Sequence, residues 1–270
     1  MQLHYQSLGQ GQPLILLHGL FGSSDNWGTI AKHFSQHYQV ISVDLRNHGR
    51  SPHSASQSYT DMANDLLALC DALSLDRIHL LGHSLGGKVA MQFATRHPDR
   101  VEKLIVVDMA MRAYADAHTH LIDAMLAVDI ATLQNRSEVD KALSSAIPQA
   151  MVRQFLLMNL IKSAINQSES GLNTSNSNLT WRINLAALKA NYPSLQQAVC
   201  ENAHYEKSCL FIRGEHSDYV QDADIEQIKT HFTNAQFASL PTAHWVHAEQ
   251  PQTFIEVVDR FLASEIPSNL

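Results

Sequence analysis

Long hydrophobic runs are missing from this sequence of 270 residues. The apolar run at residues 14–17 follows Gly and Pro rather than a basic segment, and it ends at His18 and Gly19, so it does not resemble a signal peptide. No apolar stretch of the sequence approaches the roughly 20 residues that a membrane-spanning helix needs. We therefore expect no membrane insertion and a cytoplasmic location.

Basic residues and cysteines are also scarce. The chain has 19 Lys and Arg against 26 Asp and Glu, a formal charge of −7, which disfavours nucleic acid or an anionic membrane as a partner. The 3 cysteines (Cys70, Cys200 and Cys209) show neither C-x-x-C nor metal-site spacing. This usage indicates a reducing compartment. The sequence leaves the oligomeric state open.

The first part of the chain alternates short apolar runs with helical patterns. Strands are predicted at residues 39–43, 78–81 and 103–107, and helices at 26–35 and 60–73. Thr60 is the predicted N-cap of the second helix. Strands that alternate with helices are typical of a parallel sheet covered by helices on both faces, so the sequence predicts an α/β fold.

The β signal vanishes between residues 113 and 202. Helices are predicted there at 115–128, 138–146 and 149–164, and a polar loop at 166–178; the strand signal returns at 209–212 and 237–240, before a closing helix at 253–263. We expect a hairpin from segments 3–5 and 14–17, and with it the insertion separates the sixth strand from the seventh. The predicted organisation is a core of residues 1–112 and 203–270 with a helical cap at 113–202.

A Gly-x-Ser-x-Gly pentapeptide lies between a predicted strand and a predicted helix, with the sequence Gly82-His83-Ser84-Leu85-Gly86. A strand, a sharp turn and a helix form a nucleophile elbow, which exposes the serine in a strained backbone and requires small residues two positions to either side. The pattern also occurs by chance in turns rich in Gly and Ser. Its setting here predicts Ser84 as a nucleophile.

A serine that attacks a carbonyl needs hydrogen-bond donors for the oxyanion that develops. The backbone N–H of Leu85, at the start of the helix, is one candidate. The loop that follows residues 14–17 supplies the other, for which Leu20 is the first choice and Phe21 the second. His18 is expected to hold this loop together.

Four motifs together resemble the α/β-hydrolase superfamily, and in particular the small bacterial YbfF-type esterases and similar abhydrolase-domain proteins. They are His18-Gly19-Leu20, Asp44-Leu45-Arg46-Asn47-His48-Gly49-Arg50-Ser51, Gly82-His83-Ser84-Leu85-Gly86-Gly87 and Ala243-His244-Trp245-Val246-His247-Ala248-Glu249-Gln250-Pro251. The resemblance covers the whole chain and is weakest within residues 113–191. It implies an α/β-hydrolase fold with a helical cap, and hydrolysis of carboxylic esters or thioesters without a cofactor.

Composition cannot select the base, because the chain has 16 histidines. The resemblance implies the order Ser, acid, His, with the histidine after the last strand, and His244 occupies that position. The residue before it is Ala243, where relatives usually have Gly. His247 could form a metal pair with His244, but no acidic or cysteine ligand has suitable spacing, so we expect no metal. His83 is expected to be a scaffold residue.

The acid has two candidates. Relatives usually place it three residues beyond a glycine after the insertion, but the residue there is Ser217, and Asp218 comes one position late. Asp108 ends the strand before the insertion, and the YbfF-type esterases also carry Asp there. We favour Asp108, with Asp218 as the alternative and Glu215 third.

The predicted function is cleavage of an ester or acyl thioester through a Ser-His-Asp triad and an acyl-enzyme. A C–C bond hydrolase or lyase with the same triad, and a non-catalytic binding protein, remain as alternatives. The expected partner is a small acyl ester or thioester. The expected lining of its pocket is Phe21, Met125, Phe155, Leu156, Met158, Trp181 and Trp245.

Overall fold

The computed structural model describes residues 1–162, 179–200 and 202–264. The strands are β1 (Tyr5–Leu8), β2 (Gln12–Leu17), β3 (Tyr38–Val43), β4 (Ile78–His83), β5 (Val101–Val107), β6 (Leu160–Lys162), β7 (Leu179–Trp181), β8 (Cys209–Gly214) and β9 (Ala235–Leu240). The helices are α1 (Gly28–Phe34), α2 (Tyr59–Ala72), α3 (Leu85–Arg96), α4 (Thr119–Ala127), α5 (Arg136–Leu143), α6 (Ala150–Leu156), α7 (Leu185–Leu195), α8 (Asp222–His231), α9 (Val246–Glu249) and α10 (Pro251–Ala263). The loop predicted at 166–178 lies outside the described residues.

Seven strands form one sheet in the order β1-β3-β2-β4-β5-β8-β9. Every neighbouring pair is parallel except β1 with β3. The predicted sheet with helices on both faces is therefore confirmed. Because the strands are parallel, their carboxyl ends meet at one edge, where loops from β4, β5, β8 and β9 can converge.

The core lies on both faces of the sheet, and the strand period of two distributes it. Along β5, Leu104 and Val106 pack with α2 and α3, whereas Ile105 and Val107 pack with α1 and α10. All four side chains are fully buried. The central strands are thus apolar on both faces, which explains their nearly continuous hydrophobic sequence.

The predicted N-terminal hairpin is wrong. The β1 strand pairs antiparallel with β3, with Tyr5 opposite Val43, while β2 lies on the other side of β3. Gly9 and Gly11, with φ of +74° and +110°, allow the chain to cross between these positions. A Cβ on Gly9 would lie 2.3 Å from the carbonyl oxygen of Ser35, so the crossing loop is held tightly against the end of α1.

The segment between β5 and β8 is not purely helical. It contains α4 to α7, but β6 and β7 pair antiparallel, with Leu160 opposite Trp181. The helix predicted at 149–164 consequently ends at Leu156. The segment follows the fifth strand of the main sheet and precedes the sixth, one strand earlier than predicted.

Two predicted helix starts were also misplaced. Ser58 rather than Thr60 caps α2, because its hydroxyl accepts a hydrogen bond from the Asp61 N–H at 3.1 Å. The α4 helix begins at Thr119 rather than at residue 115, and the Asp116 carboxylate accepts the Thr119 N–H.

No helix of the described chain is both long enough and apolar enough to cross a bilayer.

The loop after β3 joins the core to α7. Asn47, with φ of +64°, presents its carbonyl to the Asn184 N–H at 3.0 Å, and its side-chain oxygen accepts from the Asn184 amide at 3.0 Å. Asn184 also caps α7 by accepting the Ala187 N–H. The start of α7 is therefore fixed to the core by two hydrogen bonds between one pair of asparagines.

A buried carboxylate organises the same loop. Asp44 is fully buried, and its oxygens accept the N–H groups of Ser24 at 2.6 Å and Arg50 at 2.8 Å. Burial alone would raise its pKa, but these donors hold the pKa of Asp44 below its ordinary value. Gly49 has φ of +54°, and a Cβ there would lie 2.2 Å from the Asp44 Cγ.

Gly49→Ala should therefore lower the free energy of unfolding by about 2–4 kcal/mol, through a strained backbone and overpacking against a fixed carboxylate. Gly28→Ala is the matched control, because a Cβ at this helical position meets nothing within 4 Å. It should be neutral or stabilising by up to about 1 kcal/mol. Urea unfolding of both variants measures the difference, and equal midpoints would contradict the predicted clash.

Candidate active site

Ser84 occupies the sharp turn between β4 and α3. Its φ of +53° and ψ of −119° are strained for a residue other than glycine. A Cβ on Gly82 would lie 2.1 Å from the carbonyl oxygen of Gly86, and one on Gly86 would lie 2.5 Å from that of Leu17. The turn therefore has the tightness that the pentapeptide predicts, and it requires both glycines.

His244 follows β9 and faces Ser84. Its Nε2 lies 3.0 Å from the Ser84 Oγ. The Glu249 carboxylate at the end of α9 fixes the loop, since it accepts the backbone N–H groups of Ala243 at 2.8 Å and Trp245 at 3.2 Å. The ring of Tyr219 stacks on His244, with centroids 3.9 Å apart and planes inclined by 20°. Backbone and ring contacts together orient this imidazole.

Asp108 is the carboxylate that contacts His244. It directly follows β5, is fully buried, and places Oδ2 2.7 Å from the His244 Nδ1. The Gly214 N–H donates to Oδ1 at 3.0 Å, and the Ser217 hydroxyl donates to Oδ2. Because an ionised carboxylate only accepts, Nδ1 carries the imidazole hydrogen and the Nε2 lone pair faces Ser84.

The other two acid candidates lie elsewhere. Asp218 has an exposed side chain, and its backbone carbonyl accepts the Arg112 guanidinium at 3.0 Å. Glu215 is exposed as well, and its N–H donates to Leu240. Among the described residues neither carboxylate is hydrogen-bonded to His244.

The loop after β2 lies against the serine. A Cβ on Gly19 would lie 3.2 Å from the Ser84 Cβ. Within the described residues, the N–H groups of Leu20, Phe21 and Leu85 have no backbone acceptor. Phe21 has φ of +62°, and its carbonyl accepts the Asn159 side chain at 2.8 Å. An oxyanion formed at Ser84 would require donors of this kind.

His18 holds this loop through both ring nitrogens. The Leu45 N–H donates to Nε2 at 3.0 Å, so Nδ1 carries the hydrogen and donates to the Gly19 carbonyl at 2.8 Å. Burial lowers the pKa of His18, which is consistent with a neutral ring that both donates and accepts.

Two further histidines lie behind His244. His83 donates from Nε2 to the His244 carbonyl at 2.9 Å, and burial holds its pKa well below the ordinary value. His247 packs on Trp27 with centroids 4.4 Å apart, and burial lowers its pKa to about 3. No group of three or more metal-ligating side chains occurs in the part of the chain that the structure describes.

Two cavities meet at Ser84, with volumes of about 310 and 740 Å³. Of the predicted pocket residues, the larger cavity is lined by Phe21, Phe155, Leu156, Met158 and Trp245. Met125 and Trp181 line neither and must be removed from the predicted pocket. Met125 is fully buried, and its carbonyl accepts the Trp181 indole N–H at 3.2 Å, so these two residues pack inside the insertion.

His118, just before α4, is a site residue that the sequence did not reveal. It lines both cavities, and burial lowers its pKa to about 4. Its Nδ1 forms a hydrogen bond of 2.7 Å with the Tyr192 hydroxyl. One histidine among 16, with no motif around it, gave no signal.

Comparison with known proteins agrees with this fold. The model of the alpha/beta hydrolase fold family matches residues 12–251. The sn-1-specific diacylglycerol lipase ABHD11 of Mus musculus is 38% identical over 260 residues, 93% of this chain and 80% of that protein. Esterase YbfF of Escherichia coli is 31% identical over 259 residues, 95% of each chain.

A solved structure, described as a marine microorganism esterase, superimposes with a TM-score of 0.88 at 36% identity, covering 97% of this chain and 99% of its own. The resemblance found in the four sequence motifs is thereby confirmed. This chain belongs to the alpha/beta hydrolase fold family.

Proposed function

We propose that this protein is a serine hydrolase that cleaves carboxylic esters, with Ser84 as nucleophile, His244 as base and Asp108 as acid. The observation that carries the proposal is the unbroken hydrogen-bond chain from Ser84 Oγ to His244 Nε2, at 3.0 Å, and from His244 Nδ1 to Asp108 Oδ2, at 2.7 Å. The esterase and lipase names of its relatives support the same activity.

In the first half of the reaction, the Ser84 oxygen bonds to the ester carbonyl carbon while its proton moves to His244 Nε2. The Asp108 carboxylate stabilises the imidazolium that results. His244 then returns the proton to the leaving oxygen, the carbon–oxygen bond breaks, and the alcohol departs. The acyl group remains on Ser84.

Water completes the cycle. His244 removes a proton from a water molecule, whose oxygen attacks the acyl carbon, and the proton then passes to Ser84 as the acid is released. In both halves the developing oxyanion would be held by the N–H groups of Leu85 and Leu20, with Phe21 as second choice. A thioester would follow the same steps with sulfur as the leaving atom.

The domain organisation belongs to the same proposal. Residues 1–112 and 203–270 would form the catalytic core, and 113–202 a cap that selects the substrate. His118, Val152 and Phe155, all from this segment, lie in the lining of the cavities at Ser84, which supports a role of the segment in binding.

Ser84→Ala should reduce kcat for ester hydrolysis by on the order of 10⁴–10⁶ with little change in thermal stability, since only a hydroxyl is removed. Hydrolysis of a 4-nitrophenyl ester and the melting temperature measure the two effects. Labelling by a fluorophosphonate probe should occur on Ser84 of the wild type and be lost in the variant. An unlabelled wild-type protein would favour the non-catalytic binding protein instead.

Asp108→Asn should reduce kcat by roughly 10³–10⁴, because an amide cannot stabilise the imidazolium and can present the wrong group to Nδ1. Asp218→Asn is the matched control and should cost less than about tenfold. Both are compared by kcat on the same ester after circular dichroism has verified folding. The opposite ranking would transfer the acid to Asp218.

A further inference from the structure

Two cavities lie at Ser84, and His244 lines one of them and not the other. They share Leu20, Ser84, Ala117, His118 and Tyr219. The larger cavity, of about 740 Å³, is also lined by His244, whereas the smaller, of about 310 Å³, is not. Of these two cavities, as the described residues form them, the His244 imidazole lines only the larger.

We propose that the larger cavity receives the leaving group of the ester and the smaller cavity receives its acyl group; this inference rests on the proposed function. In the first half of the reaction the leaving oxygen takes its proton from His244 Nε2, so it must lie within hydrogen-bond reach of that atom. The leaving group therefore starts in the cavity that His244 lines. The acyl chain, which projects from the other side of the carbonyl carbon, enters the smaller cavity.

The volumes indicate which side of the ester is bulkier. The larger cavity, of about 740 Å³, has more than twice the volume of the smaller, of about 310 Å³. The insertion contributes six aliphatic, aromatic or thioether side chains to the lining of the larger cavity, namely Leu121, Met151, Val152, Phe155, Leu156 and Met158. An ester of a short or medium acid with a bulky, apolar alcohol fits this division.

Charge at the outer rim of the smaller cavity limits the acyl chain. Arg112 and Asp218 lie in its lining, and Arg112 is paired with Asp224 at 3.0 Å. Deeper in, the Lys88 ammonium donates to the carbonyls of Arg112 and Gln197 at 2.9 and 2.6 Å. A longer acyl chain would have to pass Arg112 and Asp218 and remove water from them, which is unfavourable.

Kinetics can separate the two cavities, because the leaving group has gone before deacylation begins. Ala115→Trp narrows the smaller cavity, and Val152→Trp narrows the larger; neither side chain is fully buried. Leu126→Trp is the control, since Leu126 is 44% exposed on the insertion and lines neither cavity. Two substrate series are needed: 4-nitrophenyl acetate and octanoate, which vary the acyl group, and methyl and 1-naphthyl acetate, which vary the alcohol.

Relative to wild type, Ala115→Trp should lower kcat/KM for octanoate against acetate by about tenfold or more and slow deacylation of the octanoyl-enzyme. Val152→Trp should lower kcat/KM for the naphthyl against the methyl ester by about tenfold and leave octanoyl deacylation within about twofold. Stopped-flow bursts and mass spectrometry of the quenched acyl-enzyme give these rates. Leu126→Trp should change neither ratio.

The reverse pattern, in which Val152→Trp slows octanoyl deacylation and Ala115→Trp affects only the alcohol series, would overturn the assignment. Unchanged ratios in both folded variants would overturn it too. A wild-type protein that shows no burst and no acyl adduct on Ser84 would instead refute the proposed function, so the two failures are distinguishable.

Discussion

A fully buried carboxylate at the end of β5 is the constraint on which the site depends. Asp108 has no access to water, so its charge must be compensated by hydrogen bonds from the protein. Its donors come from the loop after β8, through Gly214 and Ser217, and from the loop after β9, through His244. Three adjacent strands must therefore end in register, and the order of the sheet ensures that they do.

Local sequence motifs were enough to predict the nucleophile and the base. Predicting the acid required knowing which residues lie next to each other in space. Ser84 and His244 each lie in a short pattern whose backbone requirements can be inferred residue by residue. The choice between Asp108 and Asp218 depends on which strand ends lie side by side, and periodicity does not contain that information. Only the family resemblance and the expected place of β5 favoured Asp108, the residue that the structure brings to His244.

The remaining discrepancies have a common physical origin, since pairing partners are set by the whole sheet. Two apolar segments separated by a glycine-containing turn are typical of a hairpin, yet β3 lies between β1 and β2. An apolar side chain such as Met125 satisfies a helical pattern equally well in a pocket wall or inside the insertion. His118 lies at the N-cap of α4, and the Asp116 carboxylate accepts the N–H of the next residue, Thr119, a local arrangement that no sequence motif announced.

Several histidines around the site are neutral, and this limits which of them can carry a positive charge. Burial is the main reason that His83, His247 and His118 have lowered pKa values, and therefore none of them competes for a proton near neutral pH. Several imidazoles lie close together, yet among the described residues only His244 has both a carboxylate and a serine hydroxyl as partners. These three histidines therefore line the site as neutral polar groups that can form hydrogen bonds. In the proposed reaction the proton that leaves the Ser84 hydroxyl can be accepted by His244 and not by them.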